Sequence, residues 1–130
     1  MNDTHAEMAG IRKKKALDTM KEARALATAK SWNQVPDRLY YAAFYMVGAL
    51  LAQNGFFART HTGHKSLFFK EFVRTSRITA QSGDFFQRLF DGLTEGNYKE
   101  MAAPEEGEMR RLIKETESFL NEIKIILVSK

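Results

Sequence analysis

No cysteine occurs anywhere in the chain, so disulfide frameworks and thiolate metal sites are excluded. That absence suits a cytoplasmic protein. Proline is nearly absent too: only Pro36 and Pro104 interrupt long runs of good helix formers. The first residues, MNDTHAEMAGIRKKK, carry no apolar run of the secretory kind. The longest apolar-rich stretch, LYYAAFYMVGALLA at 39–52, spans 14 residues, short of the roughly 20 that cross a bilayer. It reads as a core helix, and no membrane association is expected. Strand-like alternation is not sustained at any point, which predicts an all-α protein. Also missing are a P-loop, a GxSxG element and an HExxH motif, so no familiar nucleophile, phosphate or zinc signature is available.

What is present fits one domain over residues 1–130, large enough for a real core. Hydrophobic residues make up 44% and charged residues 28%, ordinary values for a globular chain. The formal charge is +4 and the pI about 9.4, which permits an anionic partner without demanding one. The distribution is more telling. Residues 59–77 hold Arg59, Lys65, Lys70, Arg74 and Arg77 against Glu71 alone, whereas 100–117 hold six glutamates against three cations. The middle of the chain is its positive part.

Five helices are predicted. The first covers about residues 4–30, with Met8, Ala16, Met20, Ala23 and Ala27 on one stripe and the basic run Arg12 to Lys15 on its wet side. SWNQVPD breaks it, and Pro36 fits the first turn of a second helix that runs to about Asn54. Gly55 is placed to cap it. A third helix covers about 63–75, with Leu67, Phe68 and Phe72 inward. SRITAQSGD reads as a loop, and a fourth helix covers about 84–95. EGNYKEMAAPEEG reads as irregular, with the Tyr98 ring pinning it to the bundle. A fifth helix starts near Pro104 and carries an i, i+3, i+4, i+7 stripe from Met109 to Leu127. Short connections between long helices make an up-and-down bundle of four to five helices the natural architecture.

The chemistry gathers in FFARTHTGHKS, residues 56–66, where Arg59, His61, His64 and Lys65 meet at one interhelix junction. Thr62 is expected to cap helix three, leaving exposed amides, a positive dipole end and basic side chains together. The residues alone leave open a solvated cap, a phosphate or carboxylate site, and a histidine metal site with no nearby carboxylate or cysteine to complete it. Arg38, at the start of helix two, opposes the dipole and calls for a carboxylate or an anionic ligand. Its neighbour Asp37 points elsewhere by helix geometry.

The run DRLYYAAFYMVGALLAQNGFFARTHTGHKSLFFKEFVRTSRI, followed by NY and a long last helix, resembles the prokaryotic HEPN-domain proteins. The likeness rests on Arg38, Tyr40, Tyr41, Ala42 and Phe44 in helix two, then on Thr60, His61, Thr62 and Gly63 before a Phe-rich helix. It covers roughly residues 15–127. It implies a helical bundle, a homodimer, and company such as a nucleotidyltransferase or an antitoxin. Catalytic members of that family are metal-independent ribonucleases whose arginine and histidine, four to six residues apart, act on RNA with its own 2′-hydroxyl. Here the matching positions fail: Leu93 stands for the arginine and Asn97 for the aspartate, only Tyr98 is kept, and no histidine follows. Arg59 and His64 have the spacing but belong to a different loop.

The sequence therefore points to a non-catalytic or degenerate HEPN-like protein. It would bind a nucleotide, RNA or a partner protein through Arg38, Arg59, His61, His64 and Lys65, with no cofactor and no metal. The competing readings are a toxin-like, metal-independent endoribonuclease and a purely structural or antitoxin-binding module.

Overall fold

A computed structural model describes residues 3–94 and 105–128 of the chain. Five α-helices run in order: α1 (Asp3–Thr28), α2 (Val35–Gln53), α3 (His61–Phe68), α4 (Ala80–Thr94) and α5 (Glu106–Val128). A 3₁₀ turn, Trp32–Gln34, leads into α2, and a π-helical segment, Phe69–Val73, prolongs α3. No strand occurs among the described residues. The fold is all-α.

α2 is the axis of the bundle, because it is apolar on nearly all sides and is buried from Leu39 and Tyr40 through Ala52. α1 lies antiparallel along it, as shown by Arg38 near Glu22 at one end and Arg12 against Gly48 toward the other. The facing residues of α1 are small: Ala9, Ala16, Ala23 and Ala27 are all buried, with Met20 filling the space between. Arg12 bridges the two helices by donating from Nη1 to the Gly48 carbonyl at 3.0 Å. A Cβ on residue 48 would stand 3.3 Å from Arg12 Cδ, so glycine is what lets the arginine stem lie flat on α2.

The other side of α2 is covered by an aromatic core. Phe86 and Phe119 stack with centroids 5.8 Å apart, and Phe68 meets both edge-on at 5.4 and 6.0 Å. Each such pair adds about 1 kcal/mol beyond the area it buries. α4 and α5 are joined at the start of α4, where Glu122 accepts from Thr79 N–H at 2.8 Å, Thr79 Oγ1 at 3.2 Å and the Ser82 hydroxyl. One carboxylate thereby satisfies donors that a helix N-terminus leaves orphaned.

The inward stripes predicted for helices one, four and five are the buried ones, including Met20, Phe85, Phe86, Leu89, Met109, Leu112, Phe119 and Ile123. Two boundaries differ. α3 begins at His61 rather than 63, because its N-cap is Thr60 and not Thr62: the Thr60 hydroxyl accepts from Gly63 N–H at 2.9 Å. α4 begins at Ala80 rather than 84, because Thr79 and Glu122 together cap a turn that the polar letters QSGD disguise as loop. Asn97, Tyr98 and Pro104 lie outside the described residues.

Candidate functional site

The site begins with one ring. Phe44, half-buried on α2, carries the imidazole of His61 stacked on it, with centroids 4.2 Å apart and planes within 12°. His64, one turn further along α3, leans on the same ring at 4.7 Å. The capping geometry of Thr60 brings both histidines here. By starting the helix at His61, it puts positions 61 and 64 on one face.

Each histidine is fixed by one ring nitrogen. His61 Nδ1 lies 2.9 Å from the Tyr40 hydroxyl. Tyr40 is buried, and that burial raises its phenol well above the ordinary tyrosine value, so the hydroxyl stays protonated and neutral beside the imidazole. That hydrogen bond orients the His61 ring, which is exposed. His64 Nδ1 lies 2.9 Å from the Thr60 carbonyl, to which it donates. His64 is only 8% exposed. Burial lowers its pKa below the ordinary value; the Thr60 carbonyl opposes that, and Arg12 and His61 add to it. One histidine is thus an exposed ring oriented by Tyr40 and the other a buried, neutral support.

Cations line the edge of this aromatic face. The Arg38 guanidinium sits 5.2 Å from the Tyr41 ring and the Lys15 ammonium 4.6 Å from the Tyr45 ring. Tyr41 and Tyr45 are themselves 6.0 Å apart, and Tyr41 meets His61 edge-on at 6.0 Å. Tyr41, Phe44, Tyr45 and His61 therefore make one continuous ring surface, half-buried on α2 and open at His61. Base rings stack on surfaces of this kind while cations hold the phosphates between them.

The five residues singled out from the sequence are not equivalent. His61 and His64 share Phe44, and Arg38 joins them through Tyr41. Arg59 is exposed at the mouth of α3 and makes no hydrogen bond or ion pair among the described residues. Lys65 turns away toward α4, its ammonium 4.3 Å from the Phe90 ring. Arg38 does find carboxylates: Asp37 at 3.1 Å and Glu22 at 3.9 Å. The adjacent Asp37 was expected to point elsewhere, yet a long arginine side chain flattened on Tyr41 curls back far enough to reach it. No group of three metal-ligating side chains occurs among the described residues.

Family comparison agrees with this architecture. The family model described as HEPN domain matches residues 9–126. The chain belongs to the HEPN family. A relative from Thermotoga maritima, named "UPF0332 protein", is 30% identical over 88% of this chain and 87% of its own. A second, from Methanocaldococcus jannaschii and named "Putative toxin", is 25% identical over 89% of this chain and 79% of its own. The HEPN match reaches into α1, whose Arg12 lowers the pKa of His64 and whose Lys15 lies over Tyr45.

Sequence reasoning missed those two residues, and it missed Tyr40 as the partner of His61. The signals existed. Gly48 in the middle of an apolar helix announces a close neighbour, and a tyrosine at a buried helical position needs a partner for its hydroxyl.

Proposed function

We propose that this HEPN protein is a binding module for single-stranded RNA or a nucleotide, gripped between the Tyr41–Phe44–Tyr45–His61 surface and the cations Lys15, Arg38 and Arg59. The observation that carries the reading is the exposed His61 ring, held flat on Phe44 and oriented by Tyr40. That arrangement fixes a flat, exposed stacking surface before any ligand arrives. Pre-ordering of this kind lowers the entropic cost of binding.

The reading favours binding over cleavage because Leu93 stands where the family's ribonuclease arginine would be and no histidine follows it. The deciding experiment is a labelled single-stranded RNA incubated with the protein in EDTA, followed by native and denaturing gels. A shifted band on the first and intact RNA on the second is the expected result. Cleavage that persists in EDTA and disappears in His61→Ala would replace this reading with a metal-independent ribonuclease. The toxin name of the Methanocaldococcus jannaschii relative keeps that second reading worth the test. Family membership also supports a homodimer, which sedimentation of the purified chain checks.

A further inference from the structure

The remaining positive charge has a different home. α1 and α5 touch lightly, and between them run two adjoining depressions of about 500 and 550 Å³ that share Arg24 and Glu117. Antiparallel packing makes them one groove. Lys14 to Thr28 edge it along α1, about 21 Å at the helical rise, with Lys30 just beyond, and Lys124 back to Arg110 edge it along α5.

Its floor is aliphatic. Leu17 and Met20 come from α1, Ile113 and Leu120 from α5, and no aromatic ring lines either depression. The rim is cationic. α1 supplies Lys14, Lys21 and Arg24, the turn after it Lys30, and α5 supplies Arg110, Lys114 and Lys124. Against these seven stand two lining carboxylates, Asp18 and Glu117, which leaves the groove at +5. The whole chain carries only +4, so this groove holds more than its entire excess.

Much of that charge is uncompensated. Lys30, Lys114 and Lys124 form no ion pair with a carboxylate among the described residues, and Lys21 acts on Asp18 only at a distance. Among the described residues, only the Arg24–Glu117 pair, at 3.1 Å and half exposed, crosses the waist of the groove. An exposed pair of this type is weak and yields readily to a competitor.

We infer that the α1–α5 groove is a docking site for an acidic amphipathic helix of a partner protein. An aliphatic floor flanked by two basic rims complements a helix with an apolar stripe and acidic flanks. The length of the rims matches about four helical turns. A nucleic acid suits the groove less well, since bases find no ring to stack on and the floor offers phosphates nothing. This surface is separate from the aromatic site, so either assignment can fail without the other.

The probe is a synthetic peptide of about sixteen residues, with leucines on one helical stripe and glutamates elsewhere, and a scrambled peptide of equal composition as control. Both are titrated by fluorescence anisotropy against the full chain and against a Lys21→Glu, Lys124→Glu variant. A second variant, His61→Ala, reports on the aromatic site. The ordered peptide should bind more tightly than the scramble, gain helix signal on binding, and weaken with salt. The charge-reversed protein should bind it about tenfold less well, with an unchanged melting temperature, while His61→Ala leaves the affinity alone. Equal binding of the scramble, unchanged affinity in the reversed variant, or displacement of the peptide by single-stranded RNA overturns the proposal. Loss of self-association in the reversed variant also overturns it, because the groove is then occupied by a second copy.

Discussion

Replacing His61 by alanine separates the stacking role from the structural one. The folded protein loses a stack at 4.2 Å and a hydrogen bond at 2.9 Å. Measured pairs of these kinds are worth about 1 kcal/mol each. His61 is exposed, so water recovers part of both, and alanine is a better helix former at that position. The net loss of stability is about 1 kcal/mol, a fall in Tm of about 4 °C for a domain of this size. Ligand binding loses more, because a base–aromatic stack contributes about 1–3 kcal/mol. At about 2 kcal/mol the affinity for a short single-stranded RNA falls about thirtyfold. The cations are untouched by the substitution. If Lys15, Arg38 and Arg59 contact three phosphates, log affinity falls against log salt with a slope of about −2 in both proteins. Fluorescence anisotropy at about 50 and about 200 mM salt then gives the same ratio, about fifteenfold, for wild type and His61→Ala. Wild-type affinity in the variant, at equal fold, refutes the stacking argument. A shallower slope in the variant shows instead that the histidine bound phosphate as a cation.

Three other perturbations test the surroundings of the site. His64 is buried with its pKa held below the ordinary value of 6.5, so the unfolded chain takes up a proton that the folded chain refuses. Stability is then intact above that value and declines as pH falls through and below it; thermal melts between about pH 7.5 and 5.5 should show the decline, and His64→Gln should flatten it. Glu122→Ala strips three acceptor contacts from the start of α4 and should cost about 2 kcal/mol, read as a fall in Tm of about 8 °C, whereas Glu122→Gln should recover part of it. Lys30 holds a left-handed backbone, φ 59°, at the end of α1, so Lys30→Gly should raise stability by about 1 kcal/mol in urea unfolding while weakening any acidic peptide in the α1–α5 groove.

How much of this was legible in the letters depended on period and range. The five helices and their buried stripes followed from apolar spacing, because a helix that must bury one face repeats it every three or four residues. Helix ends were harder where capping is supplied from afar. Thr79 and Ser82 look like loop residues until Glu122, some forty positions later, completes the N-terminus of α4. The junction at Arg59 to Lys65 was visible as composition, but its parts were not separable by sequence. Nothing local says that His61 lies open on Phe44, that His64 is covered, or that Lys65 turns to Phe90. Those outcomes are set by α2 and α4, which lie far away along the chain.

The basic run RKKK at 12–15 shows why charge read along a line misleads about surfaces. Written out, it is one patch on the wet side of a helix. At about 100° per residue it divides. Arg12 and Lys15 fall on the flank that meets α2, where one holds the Gly48 carbonyl and the other covers Tyr45. Lys14 falls on the flank facing α5, in register with Leu17, Lys21 and Arg24 along the groove. The alanine stripe of Ala16, Ala23 and Ala27 lies between the two flanks and is buried. A single helix thus sends part of its charge to an aromatic site and part to an aliphatic groove, and the chemistry of each neighbour decides what that charge can hold. Lysine beside tyrosine and histidine rings suits a nucleotide, because phosphate and base are met together. Lysine beside leucine and methionine suits an acidic helix, because only a chain carrying both carboxylates and an apolar stripe satisfies both surfaces at once. Charge reversal at Lys15 should therefore reduce RNA affinity without touching the acidic peptide, and reversal at Lys21 should do the opposite. Identical responses to both would mean that α1 acts only as a diffuse positive field, and that the two surfaces are not distinct sites.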